Sequence, residues 1–270
     1  MFIKIKIKIK IKSVSDLLNR ITIFSILTVV PITSMAIVNM DALHFDDKED
    51  SFNAAVDLMV SGASGNSDSA KATLNTQLNW KAKKSINLAI LGYQYGENNG
   101  VTNVNKAFIH YRYIYQLTNT MDWELFGQLE TNQFTRLSYR GLIGTGLRYL
   151  LVKSKVHTAF GGVGGFYSRE ETDYTSGLTD GGVEEFARAN FYLLSKYKIN
   201  PTLNFSNVLY YQPRISRPSD YRALLETKFD FKINKELSFR LSLDIEHDSE
   251  PSQSIKKTDI SYMTGLLYNF

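Results

Sequence analysis

The sequence predicts an all-β protein, a transmembrane antiparallel β-barrel of about twelve strands that follows a cleavable signal peptide. Three observations lead to this prediction. Segments of roughly 10 to 14 residues alternate strictly between apolar and polar side chains. Short and long connections alternate along the chain, and the last segment ends on an aromatic residue preceded by apolar residues at every second position.

The N-terminus predicts a secretory signal peptide. Residues 21–33 form an uncharged apolar run that follows Arg20 and ends in the small residues Ser34 and Ala36. This run is shorter than the roughly 20 residues that a membrane-spanning helix needs. We expect cleavage after Ala36. The expected parts are a signal peptide at 1–36, a short periplasmic lead-in at 37–51 and an outer-membrane β-barrel at 52–270.

Composition excludes several other classes of protein. Hydrophobic residues make up 43% of the chain, too few for a bundle of membrane helices. The chain has no cysteine, so disulfides, thiolate metal sites and thiol nucleophiles are excluded. Six of the 31 basic and one of the 27 acidic residues lie in the first 36, which leaves 25 basic and 26 acidic residues in the body. The net charge of +4 therefore belongs to the leader, and we expect no nucleic-acid partner.

Each strand is assigned from its period of two. In 237–245 the apolar residues Leu237, Phe239 and Leu241 alternate with Ser238 and Arg240. Applied along the chain, the pattern predicts twelve strands at 52–60, 69–81, 85–95, 105–116, 122–133, 140–151, 156–168, 185–197, 202–212, 221–233, 237–247 and 258–270. The even number is typical of bacterial single-chain barrels.

The connections predict the sidedness of the barrel. Short turns near residues 83–84 and 199–201 alternate with longer polar segments, including 169–184 and 213–220. If the N-terminus of the barrel lies in the periplasm, every long loop falls outside the cell. About twelve strands leave an interior wider than the core that eight strands fill, so we expect the apolar face to meet lipid and the charged face to line the lumen.

The sequence also resembles a known family. The similarity lies in SGNSDSAKATLN near residue 69, in Tyr139-Arg140 before GLIGTGLRYLL, and in EHDSEPSQSIKKTDISYMTGLLYNF at the end. In order and spacing these segments resemble the YdiY-like, salt-induced outer-membrane protein family, domain of unknown function 481, over roughly residues 50–270. The Lys/Ile leader and Ser67 depart from the family pattern. The resemblance implies an outer-membrane barrel of unassigned biochemistry and no substrate.

Inward-facing charges are the first candidate site. They could line a narrow channel that carries no strong net charge of either sign, or form a salt-bridge network that fills a closed barrel. The residues expected in the lumen are Lys71, Arg112, Glu124, Glu130, Arg148, Arg188, Arg222, Glu226, Lys228, Asp230, Arg240, Asp244 and Glu246.

A second candidate is a lipid hydrolase site at the outer rim. His247 and Ser249 lie two residues apart, on the same strand face as Ile245. This arrangement is similar to that of outer-membrane lipid hydrolases. The third member of a catalytic triad is missing, because Asp259 is expected on the lumen face of its strand. We therefore expect no enzyme activity, and no cofactor or metal. A third alternative is a receptor or adhesin that uses the 169–184 loop.

The end of the chain predicts a partner. Tyr268 and Phe270 share one side of the last strand with other apolar residues. Such a terminal strand is similar to the signal that the outer-membrane assembly machinery reads. We expect that machinery and membrane lipids as partners. The first functional hypothesis is an outer-membrane barrel that acts as a small-solute channel or as an envelope-structural protein; only the name of the family that it resembles implies that its abundance follows osmotic conditions.

Overall fold

The computed structural model describes residues 50–63 and 69–270. The expected signal peptide and its cleavage site at Ala36 lie outside the described residues. Within the described part no helix is both long and apolar enough to cross a membrane.

Within the described residues, twelve antiparallel strands form a closed barrel in which each strand pairs with its neighbours in sequence. The first and last strands close it, over the six pairs from Ala55–Asn269 to Val60–Thr264. The strands are β1 (Asp50–Ala63), β2 (Ser69–Ala82), β3 (Ser85–Asn98), β4 (Val101–Gln116), β5 (Met121–Asn132), β6 (Leu137–Lys153), β7 (His157–Thr172), β8 (Gly182–Asn200), β9 (Leu203–Arg214), β10 (Arg217–Lys232), β11 (Leu237–Asp248) and β12 (Thr258–Asn269). A 3₁₀ turn at Gln133–Thr135 precedes β6.

The apolar face of each strand points outward, as the sequence predicts. On β11, Phe239 and Leu241 are 39% and 37% exposed, whereas Arg240 and Ser242 are 4% and 5% exposed. Because successive side chains of a strand point to opposite faces, the same alternation extends along the strands. A surface of this kind suits hydrocarbon, and closure of the sheet leaves no unpaired strand edge in it.

Several connections are shorter than the sequence predicts. The segment 169–184, expected to be a long loop, is a loop only at residues 173–181, because β7 and β8 pair as far as Thr172–Gly182. In the segment 213–220, β9 ends at Arg214 and β10 begins at Arg217. At the β3–β4 turn, Asn99 and Gly100 take positive φ values of 50° and 74°, which suit a two-residue hairpin. Polar strand ends resemble loops in sequence, and this caused the error.

The two ends of the barrel differ. We call the end with residues 133–136, 173–181 and 249–257 the loop end, and the opposite end, which holds the turn at Lys83–Lys84, the turn end. The interior of the turn-end half holds an apolar group, which we call the turn-end cluster. Its buried members are Leu88, Ile90, Ile114, Phe160, Tyr192, Leu194, Val208, Tyr210 and Leu224.

Candidate functional site

Buried side chains from every strand occupy much of the barrel interior. Every strand contributes at least one inward side chain that is no more than 5% exposed. Apolar groups from β3, β4, β7–β9 and β12 meet ionic and polar groups from the other strands. In chain order, one such side chain per strand is Asp57, Thr73, Leu88, Ile114, Glu124, Arg148, Phe160, Leu194, Val208, Lys228, Arg240 and Met263.

Glu124 links the turn-end cluster to a group of buried ionic side chains. Its Oε2 atom accepts hydrogen bonds from Arg112 Nη1 at 3.0 Å and from the Tyr192 hydroxyl at 2.8 Å. Arg148 Nε lies 3.9 Å from its other oxygen, and Arg148 Nη2 donates to Asp122 at 2.6 Å. Two guanidiniums and a phenol thus converge on one buried carboxylate, an arrangement that fixes their positions because each charged group is costly to bury alone.

Glycines on β6 and β7 make room for the aromatic rings inside. A Cβ atom at position 162 would lie 2.0 Å from Cε1 of Tyr192, and one at position 144 would lie 2.5 Å from Cζ of Phe126. The glycine-rich segment 161–165 therefore allows a ring to lie against the backbone of the wall.

A chain of ion pairs continues from this region toward the loop end. Arg140 Nη1 donates to Glu130 at 3.2 Å, and Arg140 Nε donates to Glu170 at 2.8 Å. Arg222 also binds both oxygens of Glu170, at 2.7 and 3.0 Å, and its Nε donates to Asp248 at 2.9 Å. Such bidentate pairs are among the stronger ion pairs in proteins, so five strands are linked by one buried network.

Arg188 and Asp220 form a second buried pair beside this network. Arg188 Nη2 donates to Asp220 Oδ1 at 2.6 Å, and Nη1 donates to the carbonyl of Gln212 at 3.0 Å. Arg214 Nη1 lies 3.4 Å from the other oxygen of Asp220. The ring of Phe186 lies under both arginines.

Above these groups lies a cavity of about 530 Å³, which we call the vestibule. Its lining combines the floor residues Arg112 and Tyr210 with the ionic network and with residues of the loops 173–181 and 249–257. The side chains of Arg217 and Glu184, which also line it, are 55% and 69% exposed, so the vestibule reaches bulk water at the loop end.

Three connections are tied together at the loop end by a group that we call the loop clamp. Arg136, which has a left-handed backbone (φ 59°), donates to Asp180 Oδ1 at 2.7 Å and to the carbonyl of Asp173 at 2.7 Å. The backbone N–H of Gln253 donates to the other oxygen of Asp180. Burial works to raise the pKa of Asp180, but these donors and the positive charge of Arg136 outweigh it and hold the pKa below its usual value.

The remaining predicted lumen residues lie on β2, β10 and β11. Arg240 donates to Asp230 at 2.6 Å and to Asp57 at 2.8 Å, and Lys228 pairs with Glu226. The register places Glu226 opposite Asp244 and Glu246 opposite Asp259. Asp244 accepts a hydrogen bond from Ser242, and Lys71 interacts electrostatically with Lys106, Asp244, Glu246 and Asp259.

Sequence reasoning missed several members of these groups. Glu170 and Asp220 fall in segments that were expected to be loops, so their inward direction could not be assigned. Tyr192 and Phe186 have the parity of inward residues on β8, but the expectation of a uniformly polar lumen left them out. The alternation along the strands was also sufficient to predict that Asp57, Arg140 and Asp248 point inward.

The proposed hydrolase pair does not form a nucleophile and base. Ser249 Oγ donates to the carbonyl of Ser219 at 2.9 Å and accepts from the N–H of Tyr221 at 2.7 Å. His247 Nδ1 lies 2.8 Å from the hydroxyl of Thr258. The serine hydroxyl therefore fixes a strand end, and its proton is directed at a carbonyl instead of at His247.

The terminal aromatic residues lie at the turn end. Phe270 N–H donates to the carbonyl of Ala54 at 2.8 Å, which extends the β1–β12 seam. The rings of Tyr268 and Phe270 make an edge-to-face contact with centroids 4.7 Å apart, and both are exposed.

Comparison with known proteins agrees with this architecture. A family model described as "Protein of unknown function, DUF481" matches residues 56–270. A structure titled "NanC porin structure in rhombohedral crystal form" gives a TM-score of 0.51 at 11% identity and covers 81% of this chain and 99% of that chain. The translocator domain of autotransporter NalP from Neisseria meningitidis gives 0.51 at 9% identity, with coverage of 85% and 91%. No curated protein matches significantly.

At such identities the structural likeness establishes a shared fold. The closed barrel and its apolar exterior place the molecule in the bacterial outer membrane, with its ionic groups inside.

Proposed function

The chain belongs to the DUF481 family, as its motifs indicated, and we propose that it is a narrow small-solute channel of the outer membrane that is closed in this conformation. The loop end faces the cell exterior, since outer-membrane barrels carry their longer loops on that side. A solute enters the vestibule from outside and meets the turn-end cluster before it can reach the periplasm.

One observation carries this proposal: a water-accessible vestibule lies directly above a packed closure. Arg112 and Tyr210 line the vestibule, and Arg112 bonds to the same Glu124 carboxylate as Tyr192 of the turn-end cluster. A barrel with a purely structural role has no need of a cavity of about 530 Å³ that reaches its loop end. Nine buried side chains from six strands pack together in the turn-end cluster below the vestibule.

Planar-bilayer recording of the refolded barrel tests the proposal. The wild type is expected to show low or brief conductance, because apolar side chains exclude water and ions from the turn-end half. A Tyr192→Ala and Leu194→Ala double variant removes two members of the closure and is expected to show discrete openings in most traces. A matched control, Phe191→Ala and Leu193→Ala, truncates the lipid-facing neighbours on the same strand and is expected to resemble the wild type.

Two results contradict the proposal in different ways. A wild type that conducts steadily would show that the closure does not hold in a membrane. A double variant that folds but stays silent across salts and voltages would favour a closed barrel without transport.

The other two functional hypotheses gain no support from the contacts. The hydroxyl of Ser249 is bound to backbone groups, which leaves lipid hydrolysis without a nucleophile at this position. The loop expected to serve a receptor or adhesin is reduced to residues 173–181 and is held across the vestibule by the loop clamp.

A further inference from the structure

Five arginine side chains gather on one wall of the vestibule, which we call the arginine wall. Three of their guanidinium carbons lie 4.9, 4.6 and 5.9 Å from the ring centre of Phe186. Cations close to the face of an aromatic ring are attracted by the partial negative charge of that face. The members are Arg140, Arg188, Arg214, Arg217 and Arg222.

These cations outnumber the buried carboxylates beside them. Asp220 is shared by Arg188, Arg214 and Arg217, at 2.6, 3.4 and 3.6 Å. Glu170 is shared by Arg140 and Arg222, and Asp248 and Glu130 add a third and a fourth buried carboxylate. Five guanidiniums therefore share four buried carboxylates.

The two further acids of this wall lie at its rim. Glu184 pairs with Arg214 at 3.2 Å and Glu250 pairs with Arg217 at 2.5 Å, but their side chains are 69% and 39% exposed. Water screens such pairs strongly. The two rim acids therefore offset the positive charge of Arg214 and Arg217 only weakly.

Some hydrogen-bond donors of the wall are unsatisfied. The Nε atoms of Arg188 and Arg214 are buried, and neither has an acceptor among the described residues. Buried donors in native proteins normally find an acceptor. A ligand with several anionic oxygens would supply one, and guanidinium groups match carboxylate and phosphate geometry well.

We propose that the arginine wall binds a small organic anion that carries a carboxylate or a phosphate. This inference rests on the proposed function, since the ligand enters through the vestibule. Glu246 and Asp259, which line the cavity on β11 and β12 beside the arginine wall, repel the anionic group and so direct it to the arginines. The amides of Asn190 and Gln212 also line the cavity and can bond the neutral part of the ligand. The volume suits a molecule of about monosaccharide size.

Isothermal titration of the folded barrel in non-ionic detergent at low ionic strength tests the inference. The probes are glucose 6-phosphate, glucuronate, glucose and glucosamine, which share one ring and differ in charge. We expect both anions to bind at least tenfold more tightly than glucose, and glucosamine to bind more weakly than glucose. Equal affinities for the four probes, or no binding of either anion, would overturn the proposal.

Variants locate the binding site. Arg214→Gln and Arg222→Gln are each expected to weaken binding of glucose 6-phosphate at least tenfold. Arg169→Gln breaks an ion pair with Glu185 on the outer surface of the barrel and is expected to leave affinity unchanged. Circular dichroism checks that every variant is folded. If all three variants bind alike, the arginine wall is not the site.

The titration and the bilayer recording can fail separately. If the wild type conducts steadily and binds the anions tightly, the closed-channel proposal is wrong and the anion site is supported. If only the Tyr192→Ala and Leu194→Ala variant opens and no anion binds, the closed-channel proposal is supported and the anion site is wrong.

Discussion

Replacement of Glu124 by alanine should destabilise the barrel from within. The change removes the acceptor of Arg112 Nη1 and of the Tyr192 hydroxyl, at 3.0 and 2.8 Å. Arg148 keeps Asp122, to which it donates at 2.6 and 3.0 Å. The guanidinium of Arg112, on a residue only 2% exposed, loses its paired carboxylate.

The expected magnitude follows from the burial of these groups. Removal of one partner of a buried ion pair costs about 3–5 kcal/mol, because a charge is left without compensation in a poorly solvated place. The unpaired Tyr192 hydroxyl would alone cost about 1–3 kcal/mol, but the two losses share one carboxylate and are not additive. We expect the free energy of unfolding to fall by about 3–5 kcal/mol.

Equilibrium unfolding of the lipid-refolded protein in denaturant, followed by tryptophan fluorescence and by gel mobility, measures this change. Glu185→Ala is the matched control, since Glu185 pairs with Arg169 on the exterior and half of its side chain is exposed. Exposed pairs of this kind contribute about 0–1 kcal/mol. If the unfolding free energies of the Glu124→Ala and Glu185→Ala variants lie within about 1 kcal/mol of each other, Glu124 does not stabilise the closure.

Two further predictions concern the closure and the loop clamp. Gly162→Val should displace the Tyr192 ring, since a Cβ there would lie 2.0 Å from it; we expect destabilisation of about 1–3 kcal/mol in the same unfolding assay, with Gly161→Val on the lipid face as the milder control. The loop clamp should depend on pH. The pKa of Asp180 is lowered in the folded protein, so the stabilisation is present above the ordinary aspartate pKa and is lost as pH falls through the lowered value. Spin-label distances between the loops 173–181 and 249–257 should lengthen at acidic pH, and Asp180→Asn should show the long distance at every pH.

The direction of side chains on each strand was predictable from sequence, since it depends only on position along that strand. Arg240 and Leu241 are neighbours in sequence, and the pleat alone sends one inward and the other to lipid. The same rule assigned Arg112, Glu124 and Arg148 to the interior. Strand ends were less predictable, because polar residues such as Glu170 and Asp220 occur in loops and in the polar ends of strands alike.

The content of the interior was not predictable in the same way. The segment around Leu88 and Ile90 is apolar on both faces, so its sequence does not distinguish lipid from a packed core. Which inward residues meet depends on the stagger of the strands round the closed sheet. Closure brings Glu124 of β5 against Tyr192 of β8, across the barrel and not between neighbouring strands.

The sequence by itself therefore determined the barrel class, the outward apolar face and most of the inward charges, because alternation along a strand is a local property. Only the tertiary structure decided that an apolar cluster closes one half of the interior while arginines gather above it. Those contacts join side chains from non-adjacent strands, and their distances are set by barrel diameter and strand tilt, which no single segment of sequence contains.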